Sequence, residues 1–149
     1  MAQQHSQRFD ATCLEPAQED GPVARPGSTG LLVTAAFGPG LAGRGGPSHH
    51  VRIVNSSFRH NAGDGIRSLG STNSVIKGNL LSDNRGTGID WGGNRNRLSR
   101  NRIIRDGTGI LVNGSRNVIA RNRVSHSRRD GVFIESGRGN LLAPRFGCR

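Results

Sequence analysis

From residue 51 onward the apolar side chains come in short pulses of period two, separated by glycine and asparagine. Ile66 alternates in this way with Ser68, Ile89 with Trp91, Ile110 with Val112 and Val132 with Ile134. Alternation of this kind belongs to β-strands with one inward face. No segment carries the i, i+3, i+4, i+7 stripe of a helix, and turn-forming residues separate every pulse. The pattern predicts units of three short strands joined by turns.

The units repeat. Gly65-Ile66, Gly88-Ile89, Gly109-Ile110 and Gly131-Val132 stand 23, 21 and 22 residues apart. The step from Ile76 to Asn79 recurs from Leu98 to Asn101 and from Ile119 to Asn122, with Ile53 to Ser56 in the same slot of the first copy. Two residues further comes an apolar position, Phe58, Leu81, Ile103 and Val124, and an asparagine precedes each new copy at 73, 96, 117 and 140. One unit cannot bury its own apolar side, whereas stacked units bury a continuous core. The expected fold is therefore all-β, a parallel solenoid of about four coils of about 22 residues. Leu141-Leu142-Ala143 begins a fifth. Hexapeptide and nonapeptide solenoids have other periods, and a leucine-rich repeat would need a helical return segment.

Composition divides the chain. Residues 1–50 hold five of the six prolines, no asparagine and a net charge of −1; the remainder carries +12 of the total of +11. The expected organisation is a leader or linker over 1–50, largely irregular with a short capping strand within 30–37, and a repeat domain over 51–149. Only 32% of residues are hydrophobic, which with such a charge suits disorder. A thin stacked core, needing few apolar residues per coil, removes that conflict. Cys13 and Cys148 are too few for a disulfide framework and wrongly spaced for zinc, and Met1 is the only methionine. No cofactor, metal or membrane insertion is expected. With no tyrosine, tyrosine-based elimination or epimerisation is excluded. The run from Leu31 to Phe37 makes a poor secretory signal, since it starts late and follows Glu19 and Asp20.

The stretch from Asn73 through Ile76, Asn79, Leu81 and Asn84 to Gly88-Ile89 resembles the repeat of right-handed parallel β-helix proteins, and the likeness runs over residues 51–142. This is the pectate-lyase-like superfamily, which includes carbohydrate-binding and sugar-hydrolase domains and copper-maturation β-helices. The resemblance implies a right-handed single-stranded β-helix that binds or processes acidic polysaccharide. An enzyme of this kind would be a lyase, epimerase or glycoside hydrolase. It also implies an extracellular, cell-surface or periplasmic place. The second reading is a non-catalytic structural or interaction solenoid, part of a larger surface or secreted protein.

Stacking turns a sequence column into a spatial row at about 4.8 Å per coil. Asn79, Asn101 and Asn122 then form an inward ladder at a turn, a structural role. The glycine of each Gly-Ile pair allows a tight or positive-φ turn before the strand. Trp91 points inward between Ser68 and Val112. The outward row of that strand carries Arg67, Asp90, Leu111 and an exposed Phe133, with Asn113 and Glu135 two residues on. Arg67 and Asp90 are adjacent, and Phe133 is placed to stack on a sugar ring. Asp90 and Glu135 stand roughly 12 Å apart, too far for either type of glycosidase carboxylate pair. A turn column of His60, Asp83, Arg105 and His126 sets a histidine beside an aspartate, which would raise its pKa.

The strongest chemical signal is arginine. Arg100 stacks on Arg121 and Arg102 on Arg123, and like charges side by side in a sheet are unfavourable. Such rows suit a polyanion, because guanidinium forks match carboxylate, sulfate and phosphate. Acidic polysaccharide is the expected partner. Nucleic acid is disfavoured, since stacking aromatics are nearly missing. Pro144 to Arg149 break the repeat with no capping helix, so the chain reads as a fragment or a misassigned frame of a longer β-helix protein, with self-association through an open end.

Overall fold

A computed structural model of the chain describes residues 7–9, 30–33 and 49–143. The described residues form strands, turns and bends, without a helix. Each coil visits three sheets. The six-stranded sheet contains β1 (Gln7–Phe9), β2 (Leu31–Val33), β5 (Ile66–Leu69), β8 (Thr87–Gly92), β11 (Thr108–Asn113) and β14 (Val132–Ser136). The five-stranded sheet contains β3 (Arg52–Val54), β6 (Val75–Lys77), β9 (Arg97–Ser99), β12 (Val118–Ala120) and β15 (Leu141–Ala143). The four-stranded sheet contains β4 (Ser57–Arg59), β7 (Leu80–Ser82), β10 (Arg102–Ile104) and β13 (Arg123–Ser125). Every pairing is parallel except that of β1 with β14. This is a parallel β-helix, with the repeat columns in register.

The core follows the predicted columns. Ile66, Ile89, Ile110 and Val132 form one buried row, Ile76, Leu98 and Ile119 a second, and Leu81, Ile103 and Val124 a third. Burying each such side chain is worth about 1.5–3 kcal/mol. Trp91 is fully buried, in register between Ser68 and Val112.

Each of the three corners carries a side-chain ladder. Between the five- and four-stranded sheets, the Asn79 amide donates to Asn101 Oδ1 and the Asn101 amide to Asn122 Oδ1, both at 3.0 Å. The same amides also donate to the strand carbonyls of Ile53 and Ile76. Between the six- and five-stranded sheets, the Asn96 and Asn117 backbone N–H groups donate to Asn117 and Asn140 Oδ1. The residue of the second coil in that ladder is Ser74, whose N–H donates to Asn96 Oδ1. Asn73, assigned to this column from the sequence, is instead exposed with φ at 52°. The third corner holds Asn61, Asn84 and Asp106. These rungs satisfy corner backbone groups that sheet pairing leaves over.

One further expectation needs correction. Among the Gly-Ile glycines, Gly65, Gly88 and Gly109 do not have positive φ. They are required by crowding: a Cβ on Gly109 would lie 2.3 Å from the Gly131 carbonyl oxygen and 2.3 Å from Val124 Cγ1. Within residues 1–50, β2 lies on the first coil of the repeat domain. Gly30 and Leu31 donate N–H bonds to the Asp64 and Gly65 carbonyls, and Leu31 stands in register with Ile66. They occupy the Gly-Ile slot one coil earlier. At the opposite flank β1 lies antiparallel on β14. Residues 34–37, Cys13, Cys148 and the Pro144 to Arg149 tail lie outside the described residues.

Candidate functional site

The outward face of the six-stranded sheet forms a groove of about 450 Å³, lined by Arg67, Leu69, Asp90, Leu111, Asn113 and Glu135 among others. The candidate residues of this strand do meet. Arg67 Nε lies 3.4 Å from Asp90 Oδ2, and its Nη1 lies 3.5 Å from Asp64 Oδ2. The Asn113 amide donates to Glu135 Oε2 at 3.1 Å. Burial raises the Asp90 carboxyl above its usual value, helped by the charges of Asp64 and Glu135 and opposed by Arg67.

The details differ from the simple column reading. Asn113 stands opposite Ser136, not Glu135, because the register shifts after Val112. That bulge turns Glu135 into an extra residue of its strand. Phe133, expected to be exposed, is half-buried, with Leu111 and Arg8 as its register neighbours. The face therefore offers a carboxylate-rich cleft with one arginine rather than an aromatic platform.

The His60 column resolves into an ion pair. Asp83 accepts two bonds from Arg105, at 2.6 and 2.9 Å. Those bonds hold the Asp83 carboxyl below its usual range. His60 Nε2 stands 4.0 Å from the same carboxylate. Arg105, rather than a histidine, takes the aspartate.

Arg100, Arg102, Arg121 and Arg123 lie elsewhere, at the corner between the five- and four-stranded sheets and at the start of the latter. Arg102 and Arg123 are direct register partners. Arg100 and Arg121 occupy the same left-handed corner slot in successive coils, with φ at 56° and 57°, and both are exposed. The candidate residues thus separate into two sites on different sides of the molecule.

That separation belongs to a general segregation of charge. The five- and four-stranded sheets, with the corner between them and the corner leading in from the six-stranded sheet, carry eleven cationic side chains within the described residues: Arg52, Arg59, Lys77, Arg95, Arg97, Arg100, Arg102, Arg116, Arg121, Arg123 and Arg138. They carry no carboxylate. All six carboxylates of residues 49–143 (Asp64, Asp83, Asp90, Asp106, Asp130 and Glu135) lie on the parallel run of the six-stranded sheet or on the corner entering it, with five arginines. A sequence column shows charge type but not which columns share a side; only the three-sheet path reveals the division. No group of three or more metal-ligating side chains occurs among the described residues. No described helix is long and apolar enough to cross a membrane.

The model of the family described as right-handed beta helix region matches residues 44–143. The chain belongs to the right-handed β-helix family. No curated protein and no solved structure matches it. Membership fixes the hand of this β-helix protein and leaves its chemistry to the surfaces just described.

Proposed function

We propose that this β-helix protein binds acidic polysaccharide, without turning it over, on its carboxylate-free side. The supporting observation is the concentration of eleven cationic side chains, without one carboxylate, on two sheets and two corners of the described chain. Flat sheet faces with rows of guanidinium suit a long ligand that meets charge in many coils. The shortage of exposed aromatic rings weighs against single-stranded nucleic acid, which uses stacking as well as charge. Against turnover stands the other cleft, where Asp90 faces Arg67 and Glu135 accepts from Asn113.

The test is binding of fluorescent uronate and sulfated polymers, with a neutral glucan as control, across a salt series, alongside an assay for unsaturated or reducing sugar ends. Saturable binding that weakens steeply with salt, with no new ends, is the expected result. New ends that vanish in Asp90→Asn would replace this reading with an enzymatic one. Absence of binding to every acidic polymer would leave the scaffold reading.

A further inference from the structure

The corner between the six- and five-stranded sheets carries a groove of about 620 Å³ that the repeat pattern did not single out. It crosses five coils, from His49 in the first to Arg138 in the fifth, with Arg95 and Arg116 between them. All its lining side chains are polar or cationic, and none is a carboxylate.

The backbone fixes the spacing of its guanidiniums. Arg95 and Arg116 occupy the same left-handed slot in successive coils, each with φ at 57°. The Arg116 N–H donates to the Arg138 carbonyl at 2.9 Å, which sets Arg138 beside them in the next coil. Asn94 and Ser115 are used to hold the corner: the Ser115 N–H donates to Asn94 Oδ1, and the Arg138 N–H to Ser115 Oγ. The three arginine side chains are exposed.

Two costs meet here. A non-glycine residue in the left-handed region is disfavoured, and asparagine or glycine tolerates it best. The flanking coils have His50, Asn73 and Gly139 in this conformation, while the third and fourth coils place arginine there. Stacked like charges also repel. At the corner entering the six-stranded sheet, the left-handed Arg105 is answered by Asp83. At this corner no described carboxylate answers Arg95, Arg116 or Arg138.

We infer that this groove is the anchoring subsite for a linear acidic oligosaccharide lying along the solenoid axis, with one anionic group per coil at a pitch of about 4.8 Å. The inference rests on the polysaccharide reading above and narrows it to one corner and one orientation. A pyranose chain presents its substituents at a comparable pitch, and guanidinium forks take carboxylate and sulfate alike. No aromatic ring other than His49 lines the groove, which favours a glycan over a single-stranded nucleic acid.

The experiment is fluorescence anisotropy at low salt with three labelled probes: a uronate oligosaccharide, a sulfated oligosaccharide and single-stranded DNA of similar charge. The proteins are the full chain, the triple variant Arg95→Gln, Arg116→Gln, Arg138→Gln, and the control Arg100→Gln, Arg121→Gln. The triple variant is expected to lose about thirtyfold in affinity for an acidic oligosaccharide, against about threefold for the control. Which glycan probe binds more tightly separates carboxylate from sulfate as the partner group. Equal losses in both variants, or a larger loss in the control, would overturn the groove while leaving polysaccharide binding in place. Tighter binding of DNA than of both glycans overturns it as well. Failure of the full chain to bind either glycan sinks both readings. Arginine Nε–H resonances give a readout free of mutation: those of Arg95, Arg116 and Arg138 should shift on titration, and those of Arg100 and Arg121 should not.

Discussion

Asn84 sends two hydrogen bonds to one oxygen of Asp106, from its backbone N–H at 2.7 Å and from its side-chain amide at 2.9 Å. The other oxygen, Oδ2, is buried without a hydrogen-bond partner. In the preceding rung the Asn84 amide nitrogen also donates to the Phe58 carbonyl. An aspartate in this ladder therefore lacks the donor that an asparagine brings, unless its carboxyl keeps a proton. Burial, the dominant cause, raises the Asp106 carboxyl to about 7, against the opposing effect of the Asn84 bonds.

The folded value lies above the ordinary 3.8. The folded chain thus holds a proton that the unfolded chain has released. Stability from this group is full below about pH 4 and is lost as pH rises through about 7, by up to about 4 kcal/mol. Asp106→Asn should raise the urea midpoint at about pH 8 and remove most of the slope between about pH 4 and 7. Urea titrations of both proteins across that range check this; an unchanged slope in the variant would refute the neutral rung.

Asp83 has the opposite sign. Its bonds to Arg105 lower its carboxyl, so its contribution is present above the unfolded value and is lost as pH falls through the folded one. Both side chains are partly exposed, so the loss is small, about 0.5–1 kcal/mol. Asp83→Asn should flatten the acid limb of the stability curve and leave the neutral limb as it was, as read from melting temperatures in acid and neutral buffers.

Position within a ladder should grade the cost of losing a rung. Asn101 accepts from the Asn79 N–H and amide and donates to the Ile76 carbonyl and Asn122 Oδ1. Asn101→Ala leaves several buried groups unpaired and should cost about 3 kcal/mol or more. Asn140, at a half-buried end, accepts from the Asn117 N–H and donates to the Gly114 carbonyl. Asn140→Ala should cost about 1 kcal/mol. Equal urea midpoints for the two variants would contradict the ladder energetics.

Gly109→Ala tests the crowding argument. The new methyl would meet a backbone carbonyl and Val124 at 2.3 Å each, and the carbonyl belongs to the next coil. The stack must part at that level, at a cost of about 3 kcal/mol. A melting temperature equal to wild type would show that the coils have more room than these distances allow.

The columns that carry the core were legible because apolar residues mark them in every coil. Asn79, Asn101 and Asn122 were legible for the same reason, one residue type in one slot. The third ladder was hidden by Asp106, which breaks the asparagine column in sequence while keeping its bonds to Asn84. The strand within 30–37 was legible from its apolar run, but its place in the Gly-Ile column was not, because 35 residues, rather than about 22, separate Leu31 from Ile66. The bulge at Glu135 was hidden because repeats of 21 to 23 residues leave open which element absorbs the extra one. The arginine groove needed the corner geometry: Arg138 is one slot out of line with Arg95 and Arg116, and only the hydrogen bond from Arg116 brings them together.

The pairing of β1 with β14 joins Gln7 to Ile134, nearly the whole length of the chain. During synthesis every other strand of the six-stranded sheet can find its neighbour as the next coil emerges, within 21 to 35 residues. β1 has to wait for β14, made after all the other strands of that sheet. Its docking is the contact with the greatest loop to close, so β1 is the last strand to join its sheet.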